Sequence, residues 1–406
     1  MGSQTRSTVD SAFWILCIMG LFAILSSTMS KNPVLKPFAT SLGTPEGFWI
    51  GFVASASTIP GILVSLPAAS LSDIFGRRKI LLVSAVVFAS APFLYLLITV
   101  WWQLILVRFY HGFATAIFVP VAEASIAEQF PTSRGERISL FSSVTSVGRG
   151  IAPFLGGYIL FLTDYSYHTL YLAVSIAGMT AFVTALLFLA ERKHSAIQPS
   201  GSKETVSKMF RGWSDVARNR GVLMVSFVQA SQYYVYGAVE YFLVGYLKEV
   251  VELDPFLIGI IMGSQLVAVI LAQPYMGRVS DKVGRRIPII AGSTVSGLSL
   301  LAIPFEAQFP VLLFLSILYG FGFAMVTSST PALVSELVPS SLVGTAMGFL
   351  GTIMDVGQTL GPIITGMILA TTLGYEGSFS ALTIVLLAFC LFFIVSGVAK
   401  KTRSRS

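Results

Sequence analysis

One apolar run carries a stripe of side chains that could bind a solute and a proton. Five of them fall on one side of a helix at 100° per residue: Gln229, Gln232, Tyr233, Tyr236 and Glu240. A carboxylate removed from water holds its proton more firmly, which a proton carrier at neutral pH requires. The stripe therefore predicts proton binding at Glu240 beside an aromatic and amide surface for an organic solute. The alternative is that Glu240 lies at an outer interface as a hydrated carboxylate.

A second apolar run carries ionisable side chains on a single helical face. About a third of the helix circumference holds Arg108, His111, Thr115, Val119, Ala122 and Glu123. A charge inside an apolar run is costly, so it needs a partner or a water-filled cavity. The family resemblance described below implies that Arg108, with His111 and Glu123 on the same face, takes part in proton coupling or substrate handling. An ion pair that only supports the packing of this helix is the alternative.

Polar groups also lie where the first apolar run ends. Lys31 and Asn32 precede Pro33, which predicts a broken helix, and the sequence repeat described below places Asn32 opposite Glu240. Lys31 could neutralise Glu240 or bind an anionic substrate. A long lysine side chain can equally extend to the membrane surface.

Four further candidates lie deep in other runs. Arg149 and Asp355 are some 12 to 14 residues into their runs and occupy nearly equivalent positions in the two halves of the chain. At 1.5 Å per residue this is near mid-depth, and each serves either packing or proton transfer. Tyr319 and Phe323 would complete an aromatic wall, unless they face lipid or the packed interior.

The composition requires lipid as the solvent of these runs. Of 406 residues, 54% are hydrophobic and 11% are charged, and the mean hydropathy is +0.80. Soluble domains carry about 25% charged residues, so a water-soluble fold is excluded. Cys17 and Cys390 cannot form a disulfide framework, and the histidines have no metal-binding spacing. We expect no metal, no cofactor and, without a Walker-type loop, no direct use of ATP.

Twelve apolar stretches are long enough to cross the hydrocarbon core as helices. Their approximate limits are 13–32, 48–70, 80–99, 103–126, 138–161, 169–190, 221–247, 257–276, 287–305, 311–334, 342–370 and 378–398. A cytosolic amino terminus places 21 of the 26 Lys and Arg residues in the cytosol. The net charge of +7 is therefore a topology signal and not a sign of nucleic-acid binding. We expect a monomeric, multi-pass protein of the cell membrane with both termini cytosolic.

The chain repeats itself at an offset of 208 residues. Six residues of the first copy recur in the second. The first set is Ser72, Asp73, Gly76, Arg77, Arg78 and Glu128, and the second, in the same order, is Ser280, Asp281, Gly284, Arg285, Arg286 and Glu336. Six spans per copy mean that both copies enter the membrane in the same sense, which predicts two bundles related by an axis along the membrane normal. We place the first bundle at residues 1–190, a cytosolic linker with an amphipathic helix at 191–220 and the second bundle at 221–406.

The repeated residues form a charged cytosolic hairpin after the second span of each copy. An Asp, a glycine turn and two arginines keep such a loop out of lipid and can latch it to the other bundle, by charge-assisted hydrogen bonds and the positive end of a neighbouring helix. The alternative is that the loops only fix orientation. The pattern resembles the loop signature of the major facilitator superfamily. Gly277 leads the second copy as that signature requires, whereas Ala69 stands at this position in the first.

Two further motifs narrow the resemblance to the twelve-helix drug and proton antiporters of that superfamily. Leu104, Arg108, His111 and Gly112 are similar to the motif of the fourth helix, with His where the group has Gln. Spans 5 and 11 are similar to the antiporter motif of the fifth helix, through Gly148, Ala152, Pro153, Gly156 and Gly157 and through Gly357, Gly361, Pro362 and Gly366. Small residues allow close helix packing and prolines allow bending. We expect these spans to be packing surfaces between moving bundles.

The resemblance implies an all-α membrane protein with twelve transmembrane helices in two pseudo-symmetric six-helix bundles, the major facilitator fold. It also implies that spans 1, 4, 7 and 10 line a central cavity that opens to each side of the membrane in turn. We expect a secondary transporter, coupled to protons, that exports small amphipathic or cationic organic compounds. One alternative is a symporter or uniporter for a small anionic metabolite or sugar, bound by Lys31, Arg108 and Arg149. Another is a membrane-embedded enzyme.

Overall fold

The computed structural model describes residues 2–64, 72, 75–130, 133–190, 216–339 and 342–398, and this part of the chain is helical with no strand. In chain order the helices are α1 (Gly2–Met29), α2 (Leu35–Ser41), α3 (Phe48–Ser55), α4 (Arg77–Tyr95), α5 (Trp101–Gln129), α6 (Arg134–Leu162), α7 (Tyr167–Ala190), α8 (Arg220–Glu249), α9 (Pro255–Val283), α10 (Arg286–Ala302), α11 (Phe309–Leu337), α12 (Val343–Leu369) and α13 (Gly374–Ser396). A short 3-10 helix, Ile303–Phe305, follows α10. Asp73 and most of the predicted linker, including its amphipathic helix, lie outside the described residues.

Ten helices of the described residues are long and apolar enough to cross a membrane. They are α1 from Ser11 onward, α4, α5, α6, α7, α9, α10 with its 3-10 extension, α11, α12 and α13. Predicted span 7 corresponds to α8, a helix of 30 residues that carries two glutamines and Glu240.

The second span differs from the prediction of one continuous helix over residues 48–70. Helix α3 ends at Ser55, a turn follows, and helix resumes over residues 59–64. Pro60 explains the interruption, because proline has no N–H to donate and its ring clashes with the carbonyl four residues earlier. Hydropathy alone identifies the apolar stretch and does not reveal that it is broken.

The described residues form two compact units. Those of the first unit fall within Met1–Thr44, Ala56–Ser200 and Asp254–Gly259. In this unit α1 packs on α6 and α7, and α4 packs on α5 and α7. Its core consists of buried aliphatic and aromatic side chains such as Phe88 and Phe118, whose ring centroids lie 5.8 Å apart.

The described residues of the second unit fall within Pro45–Ser55, Gly201–Leu253 and Ile260–Ser406. Here α3 and α8 both pack on α12, and α10 packs on α11 and α13. Valine, leucine and phenylalanine side chains form the core. Each unit thus includes a short stretch from the other half of the sequence. The predicted bundle boundaries at residues 190 and 221 lie beside the undescribed stretch and remain a prediction.

The glycine of each charged hairpin has a positive φ. Gly76 precedes α4 with a φ of +94°, and Gly284 lies before α10 with a φ of +89°. Only glycine adopts positive φ without steric cost, so the turn itself requires the glycine of each copy. The sequence repeat is therefore also a repeat of local structure.

Candidate functional site

Four aromatic rings meet between α8 and α11 in the second unit. The centroids of Tyr233 and Tyr236 lie 5.3 and 5.1 Å from that of Phe323. Tyr319, one turn before Phe323 on α11, has its centroid 6.4 Å from the same ring. Tyr319 and Phe323 are buried, whereas Tyr233 and Tyr236 remain partly accessible. These four residues, called the aromatic cluster below, present a surface suited to a flat organic molecule or a cation.

Glu240 lies one turn beyond Tyr236 on α8 and is partly accessible. Its charge acts on the buried side chain of Tyr319, so the carboxylate and the aromatic cluster belong to one region of the second unit. Apolar residues of α9, including Met276, form a buried cluster with Phe323, and Tyr233 and Tyr236 pack against this cluster. A cation bound over the rings would therefore meet a negative charge next to an apolar wall.

The two predicted glutamines of α8 are buried and tie this helix to its neighbours. The Thr330 hydroxyl of α11 donates to Gln229 Oε1, and Gln232 Nε2 donates to Ser293 Oγ of α10 at 3.2 Å. Buried amides need such partners, because an unmade hydrogen bond is costly in a low dielectric. In this structure both glutamines fix the helix that carries Glu240.

Three predicted ionisable residues lie within the spans. Glu123 of α5 and Asp355 of α12 are partly buried, and Arg149 of α6 is exposed. None of the three makes an ion pair or a side-chain hydrogen bond with the residues that the structure describes. A carboxylate in this situation can take up or release a proton without first breaking an ion pair.

The exposed Arg149 belongs to a polar side of α6. Ser139 and Ser142 are exposed on the same side, roughly opposite to the exposed Val147 and Ile151 at 100° per residue. The apolar side suits contact with lipid. A charged side chain at this depth requires water or a polar partner, so the polar side of α6 is suited to an aqueous cavity.

Arg108 and His111 are buried in the first unit. Arg108 Nη2 donates to Ser57 Oγ at 2.7 Å, and only 2% of Arg108 is exposed. His111 Nδ1 is hydrogen-bonded to the Tyr95 hydroxyl at 3.3 Å. The Tyr95 ring stacks on Tyr171 with centroids 4.5 Å apart. The structure therefore joins the two predicted residues through partners on three other segments of the same unit.

Lys31 and Asn32 lie between the end of α1 at Met29 and the start of α2, where the sequence predicts a broken helix. Asn32 is buried, and Lys31 is partly accessible with its charge acting on His111. The Asn32 carbonyl would lie 3.1 Å from a Cβ at Gly156. This part of the chain is thus close to both α5 and α6.

The glycines of α6 allow close backbone packing inside the first unit. A Cβ at Gly148 would lie 2.5 Å from a carbonyl oxygen of α1, and one at Gly157 would lie 2.5 Å from the Pro255 carbonyl. The Pro153 carbonyl would lie 2.6 Å from a Cβ at Gly259. A larger side chain at any of these glycines would force the helices apart.

The glycines of α12 play the same part in the second unit. A Cβ at Gly357 or Gly361 would overlap the backbone of α8 at Ala230 or Tyr234, respectively. Pro362 lies in the interior of α12. The small residues of α12 therefore make backbone contacts within the unit, and their predicted role as packing surfaces between moving bundles stays a prediction.

The first arginine of each hairpin bonds a glutamate near the end of a neighbouring helix in its own unit, and the predicted latch to the other bundle stays a prediction. Arg77 Nε donates to Glu128 Oε1 at 3.1 Å, and Arg285 Nε donates to Glu336 Oε1 at 2.9 Å. Asp281 pairs with Arg285 at 2.5 Å. Burial works against the charged form of Arg285, but the bonds to Glu336 and Asp281 outweigh it and raise its pKa.

The second arginine of each hairpin begins the next helix. Arg78 is partly buried in the first turn of α4. Arg286 Nη2 donates to the Ile394 carbonyl at 2.8 Å, near the end of α13. A cation at this place offsets the negative end of the helix dipole. No cluster of His, Cys, Asp and Glu able to hold a metal ion occurs in the described ranges.

The sequence did not indicate several of the residues that hold these sites. Ser57, Tyr95, Ser293 and Thr330 are common residue types in apolar spans, and nothing in their spacing identifies them as partners. One signal was available for Ser57. A break at Pro60 places it at a helix end, where the side chain and carbonyl are open to contacts from other helices.

Long apolar helices with embedded charges, a duplicated charged hairpin and close-packed glycines define a transmembrane solute transporter. Comparison with known proteins agrees with this class. The sequence model described as Major Facilitator Superfamily matches residues 16–249 and 225–406. The chain belongs to this superfamily, and it is a multi-pass membrane transporter of small molecules and not an enzyme. Its fold is all-α, with the twelve helices of the two-domain facilitator architecture.

Individual relatives are distant but cover most of the chain. An uncharacterised MFS-type transporter of Methanocaldococcus jannaschii is 22% identical, over 84% of this chain and 87% of its own. The multi-drug resistance efflux pump PmrA of Streptococcus pneumoniae is 25% identical, over 93% and 94%. A bacterial homologue of the human lysosomal transporter Spinster, solved in an inward-facing, unoccupied conformation, has a TM-score of 0.80 at 15% identity over 97% and 98%. That structure shares the fold.

Proposed function

We propose that this transporter exports small amphipathic or cationic organic compounds in exchange for protons. The observation that carries the proposal is the aromatic cluster with Glu240 beside it, all within the second unit. A ring face attracts a cation, and an apolar wall accepts the rest of an amphipathic molecule. The similarity to a named multi-drug efflux pump supports the same class of substrate.

Proton coupling follows from competition for one carboxylate. A cationic substrate is attracted to ionised Glu240, and a proton that binds Glu240 removes this attraction. Because both ligands use the same oxygen atoms, release of substrate on one side favours protonation there. Glu123 and Asp355, which have no ionic partner among the described residues, are further candidates for proton transfer.

We further propose a monomer of the cell membrane with both termini in the cytosol. The bias of Lys and Arg toward the loops on one side supports this orientation. The bundles 1–190 and 221–406 would tilt in turn, so that the site is open to one compartment at a time. The linker 191–220 would lie on the cytosolic face.

Glu240→Gln tests the proposal directly. The amide keeps the size of the side chain but holds neither a negative charge nor a transferable proton. In proteoliposomes with an imposed pH gradient, we expect wild-type protein to move an aromatic cation against its gradient. The Glu240→Gln variant should lose this pH-driven movement by at least tenfold while its thermal unfolding stays unchanged.

Glu252→Gln is the matched control, because Glu252 is an exposed carboxylate in the loop after α8. It should transport like the wild type. Unchanged pH-driven transport by Glu240→Gln would remove Glu240 from the mechanism. Uptake of organic anions in preference to cations by the wild type would overturn the substrate class.

A further inference from the structure

The break in the second span divides it into two segments. Helix α3 ends at Ser55, and the next helical stretch starts at residue 59 with its first bonds to the Thr58 carbonyl, from Gly61 N at 3.0 Å and Ile62 N at 3.4 Å. Residues 56–58 form a turn. They make up a short connection whose backbone can change without unwinding either helical segment.

The two segments belong to different compact units. Helix α3 is held to α12 inside the second unit: Ser55 Oγ donates to the Thr359 carbonyl at 2.6 Å, and a Cβ at Gly51 would overlap the Pro362 carbonyl. From Ala56 onward the chain belongs to the first unit. Residues 56–58 are therefore the point at which the chain passes from one unit to the other.

Helix α5 holds this turn at two points one helical turn apart. Arg108 Nη2 donates to Ser57 Oγ at 2.7 Å. Gly112 faces the Ser57 carbonyl so closely that a Cβ there would overlap it. Residues four apart lie on the same side of a helix. Arg108 therefore hydrogen-bonds the Ser57 side chain while Gly112 packs against the Ser57 backbone. We call Arg108, Gly112 and Ser57 the clasp.

The Arg108 side chain also contacts residues other than Ser57. Arg108 acts on the Tyr95 side chain through its charge and as a hydrogen-bond donor. Tyr95 is held in turn by His111 Nδ1 and by stacking on Tyr171. Arginine suits this place because its planar fork can serve Ser57 and Tyr95 together. Each of the three residues of the fourth span thus has its own contact: Arg108 with the Ser57 hydroxyl, His111 with the Tyr95 hydroxyl and Gly112 with the Ser57 carbonyl.

The geometry points to Arg108 as a positioning residue that anchors the turn at residues 56–58 to the first unit. The clasp keeps Ser57 fixed against α5 inside the first unit, and in this way sets the rate at which the transporter changes conformation. Arg108 does not carry protons in this account. The inference rests on the proposed function only where conformational change is measured as transport.

Amide hydrogen exchange tests the clasp without any transport. Arg108→Gln and Ser57→Ala remove the same hydrogen bond, so each should speed exchange of amides 56–62 on the order of tenfold to a hundredfold, as expected for loss of a bond to a charged group. The double variant should add nothing further. Arg108→Lys, which keeps a cationic donor, should recover part of the protection. Ser84→Ala is the control, because the buried Ser84 hydroxyl bonds the Leu81 carbonyl of its own helix.

Transport measurements then distinguish a positioning role of Arg108 from a role in proton transfer. Exchange of labelled substrate at equal pH needs conformational change but no proton gradient, whereas pH-driven transport needs both. Arg108→Gln and Ser57→Ala should change the maximal rates of the two processes by the same factor, with the substrate KM unchanged. Loss of pH-driven transport with normal exchange at equal pH would instead make Arg108 a proton-coupling group.

The amide measurement has its own decisive outcome. Unaltered exchange of amides 56–62 in both Arg108→Gln and Ser57→Ala would overturn the clasp. If wild-type protein moved no organic cation in either assay, the proposed substrate would be wrong. The amide data on the clasp would still stand in that case.

Discussion

Tyr236→Leu should weaken the binding of aromatic cations while sparing uncharged molecules of the same shape. The Tyr236 ring stacks on Phe323 at 5.1 Å and is partly accessible, so its accessible part can contact a ligand. A cation within about 6 Å of an aromatic centroid gains about 0.5–2 kcal/mol. At about 1.4 kcal/mol per tenfold change in affinity, the loss of this ring should raise Kd about 2- to 30-fold.

Two probes separate charge from hydrophobic contact. One is a planar aromatic compound with a quaternary ammonium group, and the other is its isostere with an uncharged carbon at the same place. Titration calorimetry of the purified protein in detergent gives Kd for both. Tyr236→Phe retains the ring and should bind the cation nearly as the wild type does. Tyr158→Leu controls for loss of a tyrosine elsewhere, since Tyr158 packs on Phe256 in the first unit.

The ratio of the two affinities decides the question. Tyr236→Leu should reduce the preference for the cation over its neutral isostere. An equal loss for both probes would mean that the ring contributes only apolar contact. Full retention of cation affinity would refute the assignment of the aromatic cluster as the cation site.

The other predictions concern proton transfer, packing and the hairpins. Asp355→Asn should cut pH-driven transport at least tenfold and leave substrate Kd unchanged; normal coupling would exclude Asp355. Gly361→Ala should lower the free energy of unfolding, measured by thermal unfolding, by about 1–3 kcal/mol, because the added methyl group overlaps α8. Gly351→Ala is the control: its methyl group meets open space, so the protein should keep its stability. Glu336→Gln should cost about 1 kcal/mol or less, because the Glu336 side chain is 41% exposed and water screens its pair with Arg285. A larger loss would show that the pair is shielded from water.

The helical architecture could be predicted because lipid imposes simple rules. A span needs about 20 apolar residues, and cations stay on the cytosolic side. The duplicated hairpin could be predicted for a different reason. Glycine is required at the turn of each copy, and the partners of Arg77 and Arg285 recur at the same offset. A contact expected in one copy is therefore also expected at the equivalent residues of the other copy.

The partners of buried polar groups could not be predicted in the same way. Arg108 meets Ser57, 51 residues away in sequence, at a point set by the crossing of two helices and by the break at Pro60. Hydropathy reveals neither where two helices cross nor where a helix is broken. The stripe on α8 was visible, but periodicity could not show that Gln229 and Gln232 bond neighbouring helices while Tyr233 and Tyr236 stay accessible.

Proton release on substrate binding tests the central claim most directly. Purified protein in weakly buffered detergent is titrated with the aromatic cation at a series of pH values, and a pH indicator records the protons that leave. Competition at Glu240 predicts release in proportion to the substrate bound, and little or none from Glu240→Gln. Equal release from both proteins, or none from the wild type despite saturating binding, would contradict the account.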